Sequence, residues 1–489
     1  MITEKYIAAI DLGTAKFALS VAKVKGDDVQ VIYYREVPAV GMRNSNIAIP
    51  KKASEPLEKL IHEAENELMI KIMQVVIGLP RYSVSQEIAN GSIPRGNPDE
   101  YITREEVEAL KSIAVESYPL DDPDTQIMFG AVAQSFSIDD QIQLVEEDVI
   151  GTLSSTLEGS FKVFVGSRRA TTAIDKIFNN LGIAIAKKYF LPDVVADTVL
   201  SEEEKENGVA LIDFGAGVTS VAIYHGGIMR HYAAIPFGGR SITSDIRSEC
   251  SISEKLAENI KLAYGACLPN RLSSLSEKII QIRYEDSPYK EVPVKYLSEI
   301  IDARTREIID AILFGIQDSG LEKVLRSGIV LTGGGANLAN LKNLIKDMSG
   351  YNVRIGYPKH LFSASGCMGV YDPSATSAIG MLLAAKRDNL PDCALAPEPT
   401  RAEVPVQETV AEEEETGDEP IHQMSEEEYR HGTSGKLIAD EEFGEAVKKE
   451  KKQKKEKKPS VFWTKINNRL SGLRDGFDKL YTDITDDNI

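Results

Sequence analysis

At 489 residues the chain is too long for one compact domain, and length alone predicts two to four. Apolar residues at 42% exclude a wholly disordered protein, and Cys250, Cys267, Cys367 and Cys393 lack the spacing of a disulfide scaffold or a zinc site. A net charge of −19 disfavours bulk nucleic-acid binding, so no nucleic-acid partner is expected.

The N-terminus, MITEKYIAAIDLG, runs straight into a strand pattern, with no charged stretch followed by an apolar one, and reads as lacking a secretion signal. No apolar run reaches the length of a membrane-spanning helix. From there, apolar β-rich runs at Tyr6–Ile10, Val75–Leu79, Phe161–Val165, Val209–Ile212 and Gly328–Leu331 alternate with helical patterns such as Glu254–Ala266 and Ile300–Ile316. That alternation predicts an α/β body over about residues 1–388. Between its strands, Thr103 followed by Glu106 reads as a capping box opening a helix.

Three turns carry the chemistry. The first is Asp11-Leu-Gly13-Thr14-Ala-Lys16, a buried strand ending in an acid, a tight turn and a return strand. Gly13 lets backbone N–H groups approach a phosphate, Thr14 offers a hydroxyl, Lys16 a cation, and Asp11 a ligand for hydrated Mg²⁺. One such hairpin is commonplace. The second, Asp213-Phe-Gly215-Ala-Gly217-Val-Thr219, repeats the grammar about two hundred residues later. The repetition predicts duplicated halves that face each other, with a triphosphate between the hairpins and a metal shared by Asp11 and Asp213. The third, Thr332-Gly333-Gly334-Gly335-Ala-Asn337, runs from a strand into a helix expected over Leu338–Met348. It matches neither the P-loop nor the dinucleotide fingerprint.

In this order the three turns resemble those of the actin, Hsp70 and sugar-kinase superfamily. Within it the chain is similar to the FtsA family of bacterial cell-division proteins. The stretches that carry the resemblance are AIDLGTAKFALSV, the run from Gly208 through Pro236, Gly238, Gly239, Thr243 and Asp245, LAENIKLAYGA, GIVLTGGGANLANL, RIGYP and DPSATSAIGMLLAA. The resemblance implies an actin-like two-lobed ATPase fold. Residues 1–83 and 163–195 would form the first half, with an inserted α+β unit at 84–162. Residues 196–388 would form the second half, its outer subdomain at about 240–310. It also implies that Asp11, Gly13, Thr14 and Lys16 hold phosphate and Mg²⁺, and that Asp213, Gly215, Gly217 and Thr219 hold phosphates from the other side. Glu258 and Lys261 would meet ribose and adenine, and Gly333, Gly334, Gly335 and Asn337 would cradle the adenosine.

Two departures from the family pattern bear on turnover. A Glu-Pro step that orients attacking water is here Leu191-Pro192, and leucine cannot accept a hydrogen bond. The second hairpin lacks one hydroxyl and one carboxylate. The expectation is an ATP-binding protein that is at most a slow ATPase, with no catalytic residue assigned.

After the body, Glu403–Glu445 holds fifteen acids against Arg430 and Lys436, so residues 389–447 read as a disordered acidic linker. Residues 448–458, KKEKKQKKEKK, reverse the sign. Within 460–482, Phe462, Trp463, Ile466, Leu470, Leu473, Phe477 and Leu480 recur at helical spacing between basic residues, which predicts an amphipathic helix lying in a membrane surface. The family resemblance implies self-association into filaments and docking of the FtsZ C-terminal peptide. It further implies recruitment of later division proteins by the inserted unit and a place on the cytoplasmic face of the inner membrane at midcell. A pilus-type actin-like adaptor and a small-molecule kinase of the same superfamily are the alternatives.

Overall fold

The computed structural model describes residues 4–139, 141–143, 145–284 and 287–395. The expected linker from 396 onward, the basic run and the amphipathic segment with Phe462, Trp463, Ile466, Leu470, Leu473, Phe477 and Leu480 lie outside them. No helix among the described residues is long and apolar enough to cross a membrane.

Two sheets organise the body, and they repeat one plan. In the first, the strands run Asp28–Pro38, Lys16–Lys25, Glu4–Leu12, Gln74–Gly78, Ala184–Tyr189; in the second, Ile228–Ile235, Thr219–His225, Val209–Phe214, Ile329–Thr332, Val353–Ile355. In each, the first three strands pair antiparallel and the last three parallel. The registers match as well. Asp11 faces Ala18 across its hairpin and Asp213 faces Ser220 across the other. The central strands are buried on both faces, which is why they read as continuous apolar runs rather than alternating ones.

Between the sheets lie two helices, Leu191–Val199 and Thr376–Arg387, one closing each half. They approach closely at Gly380, where an added Cβ would lie 2.7 Å from both Thr198 Oγ1 and the Val194 carbonyl. Apolar residues around Leu191, Val194, Ile379 and Leu382 join this seam to the first sheet. At well over 1 kcal/mol per buried side chain, the seam holds the halves in one register.

The inserted unit is a four-stranded antiparallel sheet, in the order Ser85–Pro94, Thr156–Ser167, Gln126–Ile138, Gln141–Gln143, with the helix Arg104–Glu116 on one face. That helix starts at the expected capping box: Thr103 Oγ1 accepts from the Glu106 N–H, and Glu106 accepts from the Thr103 N–H at 2.9 Å. The unit also touches the second half. Phe164 stacks on Phe190, and Tyr232 meets both rings edge-on.

The boundaries read from sequence differ from the elements in four places. The strand Thr156–Ser167 crosses 162/163, the helix Leu191–Val199 crosses 195/196, and the helix Val294–Asp318 runs past 310. The linker expected from 389 begins no earlier than 396. Residues 389–395 pack on the first sheet, with Cys393 buried, its N–H donating to the Tyr6 carbonyl and its own carbonyl accepting from Met73, each at 2.8 Å. Leu390 and Cys393 supply apolar contact with the core around the first sheet.

Candidate functional site

Asp11 and Asp213 are each the penultimate residue of a buried strand, and the following turn throws the chain back at once. Both turns need the same empty space. A Cβ on Gly13 would lie 2.6 Å from the Lys16 carbonyl, and one on Gly215 would lie 2.7 Å from the Val218 carbonyl. The two hairpins meet tip to tip, for a Cβ on Gly217 would collide with the Thr14 side chain at 2.7 Å. They line a cleft of about 1060 Å³ that also includes Glu258, Lys261, Gly333 to Gly335 and Asn337. That volume is ample for a nucleoside triphosphate.

Of the residues predicted for this site, all but Thr219 line the cleft. Thr219 is fully buried and its hydroxyl donates to the Phe237 carbonyl at 2.9 Å. It follows the turn by one residue too many, already inside the return strand. The glycine turn also differs in detail. The α-helix expected over Leu338–Met348 runs from Leu341 to Ser349, preceded by a 3-10 turn at Gly334–Asn337, because Asn340 takes a left-handed conformation, φ 63°, just before it. Gly333 has φ +84°, and a Cβ there would sit 2.4 Å from Asp213 Oδ1. Gly335 presses on the Phe214 ring in the same way. Two of the three glycines thus serve the fit of this turn against the second hairpin, and Gly334 is the one with room around it.

The cleft is charge-balanced in itself. Lys16 pairs with Glu36 and donates to Ser374 Oγ at 2.9 Å. Lys261 Nζ contacts Glu258 Oε2 at 2.8 Å and the Thr243 hydroxyl at 2.8 Å, with its pKa lowered by burial. Arg240 pairs with Glu254. Asn337 donates to Asp372, which in turn caps the next turn through the Ser374 N–H. An anion entering the cleft must therefore take these cations from carboxylates. Asp11 is buried, and burial pushes its carboxyl up against the opposing pull of Arg81 and Lys16.

Arg81 is the residue that sequence reasoning missed. It follows the strand Gln74–Gly78 and is largely shielded, its side chain 14% exposed, with Nη1 2.8 Å from Asp213 Oδ2. Its Nη2 donates to Ser377 Oγ, its N–H donates to Ser45 Oγ at 3.2 Å, and its carbonyl accepts from the Tyr232 hydroxyl at 2.6 Å. The register reveals what it replaces. Ala9 pairs with Val76 as Leu211 pairs with Val330, so Arg81 stands where the second half has Gly335. The signal was in the sequence as Leu79-Pro-Arg81 after a strand whose twin ends in glycines.

Arg81 holds Asp213 Oδ2, so a magnesium ion shared by Asp11 and Asp213 would have only Oδ1 of Asp213 open to it and would sit beside a fixed positive charge. Among the described residues no group of three His, Cys, Asp or Glu side chains could hold a metal.

Duplicated sheets with a nucleotide-sized cleft between their hairpins define an actin-like two-lobed fold. Comparison with known proteins gives the same class: a PilM–PilN type IV pilus biogenesis complex has a chain matching 77% of this one and 98% of itself, with a TM-score of 0.54 at 16% identity. The family model for cell division protein FtsA matches residues 210–380. Cell division protein FtsA of Neisseria meningitidis serogroup B is 29% identical over 399 residues, 79% of this chain and 92% of that protein. Its counterpart in Borreliella burgdorferi is 29% identical over 383 residues, 77% of this chain and 90% of that protein. The resemblance to FtsA read from the motifs thus extends over more than three quarters of the chain.

Proposed function

We propose that this chain is an actin-like cell-division protein that binds ATP, polymerises on the cytoplasmic face of the membrane and tethers the FtsZ ring to it. One observation carries the reading: the Asp11 hairpin, the Asp213 hairpin and the Gly333–Gly335 turn line a single cleft. The similarity to cell division proteins named FtsA supports the cellular role.

Backbone N–H groups of both turns take the phosphates from opposite sides. Lys16 exchanges Glu36 for a phosphate oxygen, while Glu258 and Lys261 face the sugar and base. Because the phosphates contact both halves, the nucleotide cements them and couples binding to filament formation. Hydrolysis is slow, since Leu191 lines the cleft where a water-orienting acceptor would be needed. The segment with Phe462 and Trp463 anchors filaments on the inner membrane. The FtsZ C-terminal peptide docks on the subdomain at about 240–310, and the inserted unit recruits later division proteins.

Two measurements test this. Fluorescent full-length chain should form a midcell band, and a chain ending at Pro459 should stay diffuse; equal bands would remove the anchor. Purified protein should bind ATP yet turn it over well below about 1 s⁻¹, the lower end of ordinary kinase rates. Faster turnover would overturn the adaptor reading.

A further inference from the structure

Arg81 is a largely shielded cation of the cleft. It is always protonated, its guanidinium contacts a carboxylate from the opposite half and donates to Ser377, and its main chain is held by hydrogen bonds with Ser45 and Tyr232. Its Nε–H and Asp213 Oδ1 are both buried without a hydrogen-bond partner. A small cavity of about 10 Å³ beside them, lined by Arg81, Asp213 and Ser220 among others, is the size of one water. That water would accept from Nε and donate to Oδ1.

A divalent ion entering here would meet a fixed positive charge, with one oxygen of Asp213 already taken. The Nε–H, by contrast, is a charged donor that a single water in this cavity satisfies. We propose that Arg81 occupies the metal position of this cleft, so that the chain neutralises its two facing carboxylates with its own guanidinium and takes a nucleotide without a divalent cation. The proposal rests on the nucleotide reading for its ligand, but its exclusion of metal stands on Arg81 alone.

The test uses the full chain, Arg81→Gln and Arg81→Lys. Manganese alone is titrated in by electron paramagnetic resonance; the acidic stretch after the body gives every variant the same weak background. Wild type and Arg81→Lys should show that background only, and Arg81→Gln should gain a site at least about tenfold tighter. A fluorescent ATP analogue is then titrated in magnesium or in EDTA. Wild-type affinity should change less than about threefold, and Arg81→Gln should lose about tenfold or more in EDTA. A tight manganese site in wild type overturns the proposal, and so does a tenfold loss of wild-type nucleotide affinity in EDTA. Should Arg81→Gln fail to fold, the wild-type and Arg81→Lys titrations still decide. Nucleotide binding absent under both conditions would sink the nucleotide reading, while the manganese titrations would still judge Arg81.

Discussion

At matching points of the two sheets, the first half reads Gly78-Leu-Pro-Arg81 and the second Thr332-Gly-Gly-Gly335. One hairpin carries Lys16 where the other, at the same place, carries the buried Val218. Strand order, pairing sense and register are common to both halves, yet both cations whose charge pulls on Asp11, Arg81 and Lys16, come from the first. The second half contributes glycines and close backbone packing instead. A duplicated backbone plan leaves its turns free to specialise, because sheet pairing is set by main-chain hydrogen bonds and turns are not.

The sharpest way to break this comparison is to remove the same acid from each half. Asp213→Asn should cost about 3–5 kcal/mol, because it leaves the Arg81 charge buried without its partner. Asp11→Asn should cost little at neutral pH or even stabilise. The Asp11 carboxyl is pushed up by burial, so its contribution is present below the ordinary carboxylate pKa and lost as pH rises through the raised one. Urea midpoints of the two variants at pH 7 check the contrast, and equal losses would erase the asymmetry.

The glycine turn comes next. Gly333→Ala should lose about 2–4 kcal/mol, since it needs positive φ and a Cβ within 2.4 Å of Asp213 Oδ1. Gly334→Ala, whose Cβ would sit 3.6 Å from Ser374, should stay within about 0.5 kcal/mol. Thermal denaturation of the pair separates packing from conformational need.

The smallest effect concerns the seam. Burial raises the Asp193 carboxyl from its ordinary value of 3.8 to about 6, with Asp197 adding to it. Its favourable contribution is therefore complete below pH 3.8 and lost as pH climbs through about 6. Asp193→Asn should accordingly raise stability at pH 7 by about 2–3 kcal/mol and change little near pH 4. A stability profile over pH that runs parallel to wild type would contradict it.

Much of the site was legible because each hairpin announces itself locally: an apolar run, an acid, glycine within two residues. Thr219 misled because a hydroxyl one strand position beyond a turn points wherever the pleat sends it, here onto Phe237. The tail of the body was misjudged for a related reason. Leu390 and Cys393 are too few to register against the acidic stretch, yet two apolar side chains suffice when Tyr6 and Met73 offer backbone partners. Glu258 and Lys261 were rightly read as neighbours on one helical face, but their bond to Thr243 joins two helices that no periodicity links.

By itself the sequence determined the duplicated strand–turn–strand plan and the residues at each turn, since hydrophobic period and glycine placement are properties of adjacent residues. Only the tertiary structure decided which charges meet. Arg81 and Asp213 lie far apart along the chain, and their pairing exists because the two sheets face each other across a cleft that shields the pair from water.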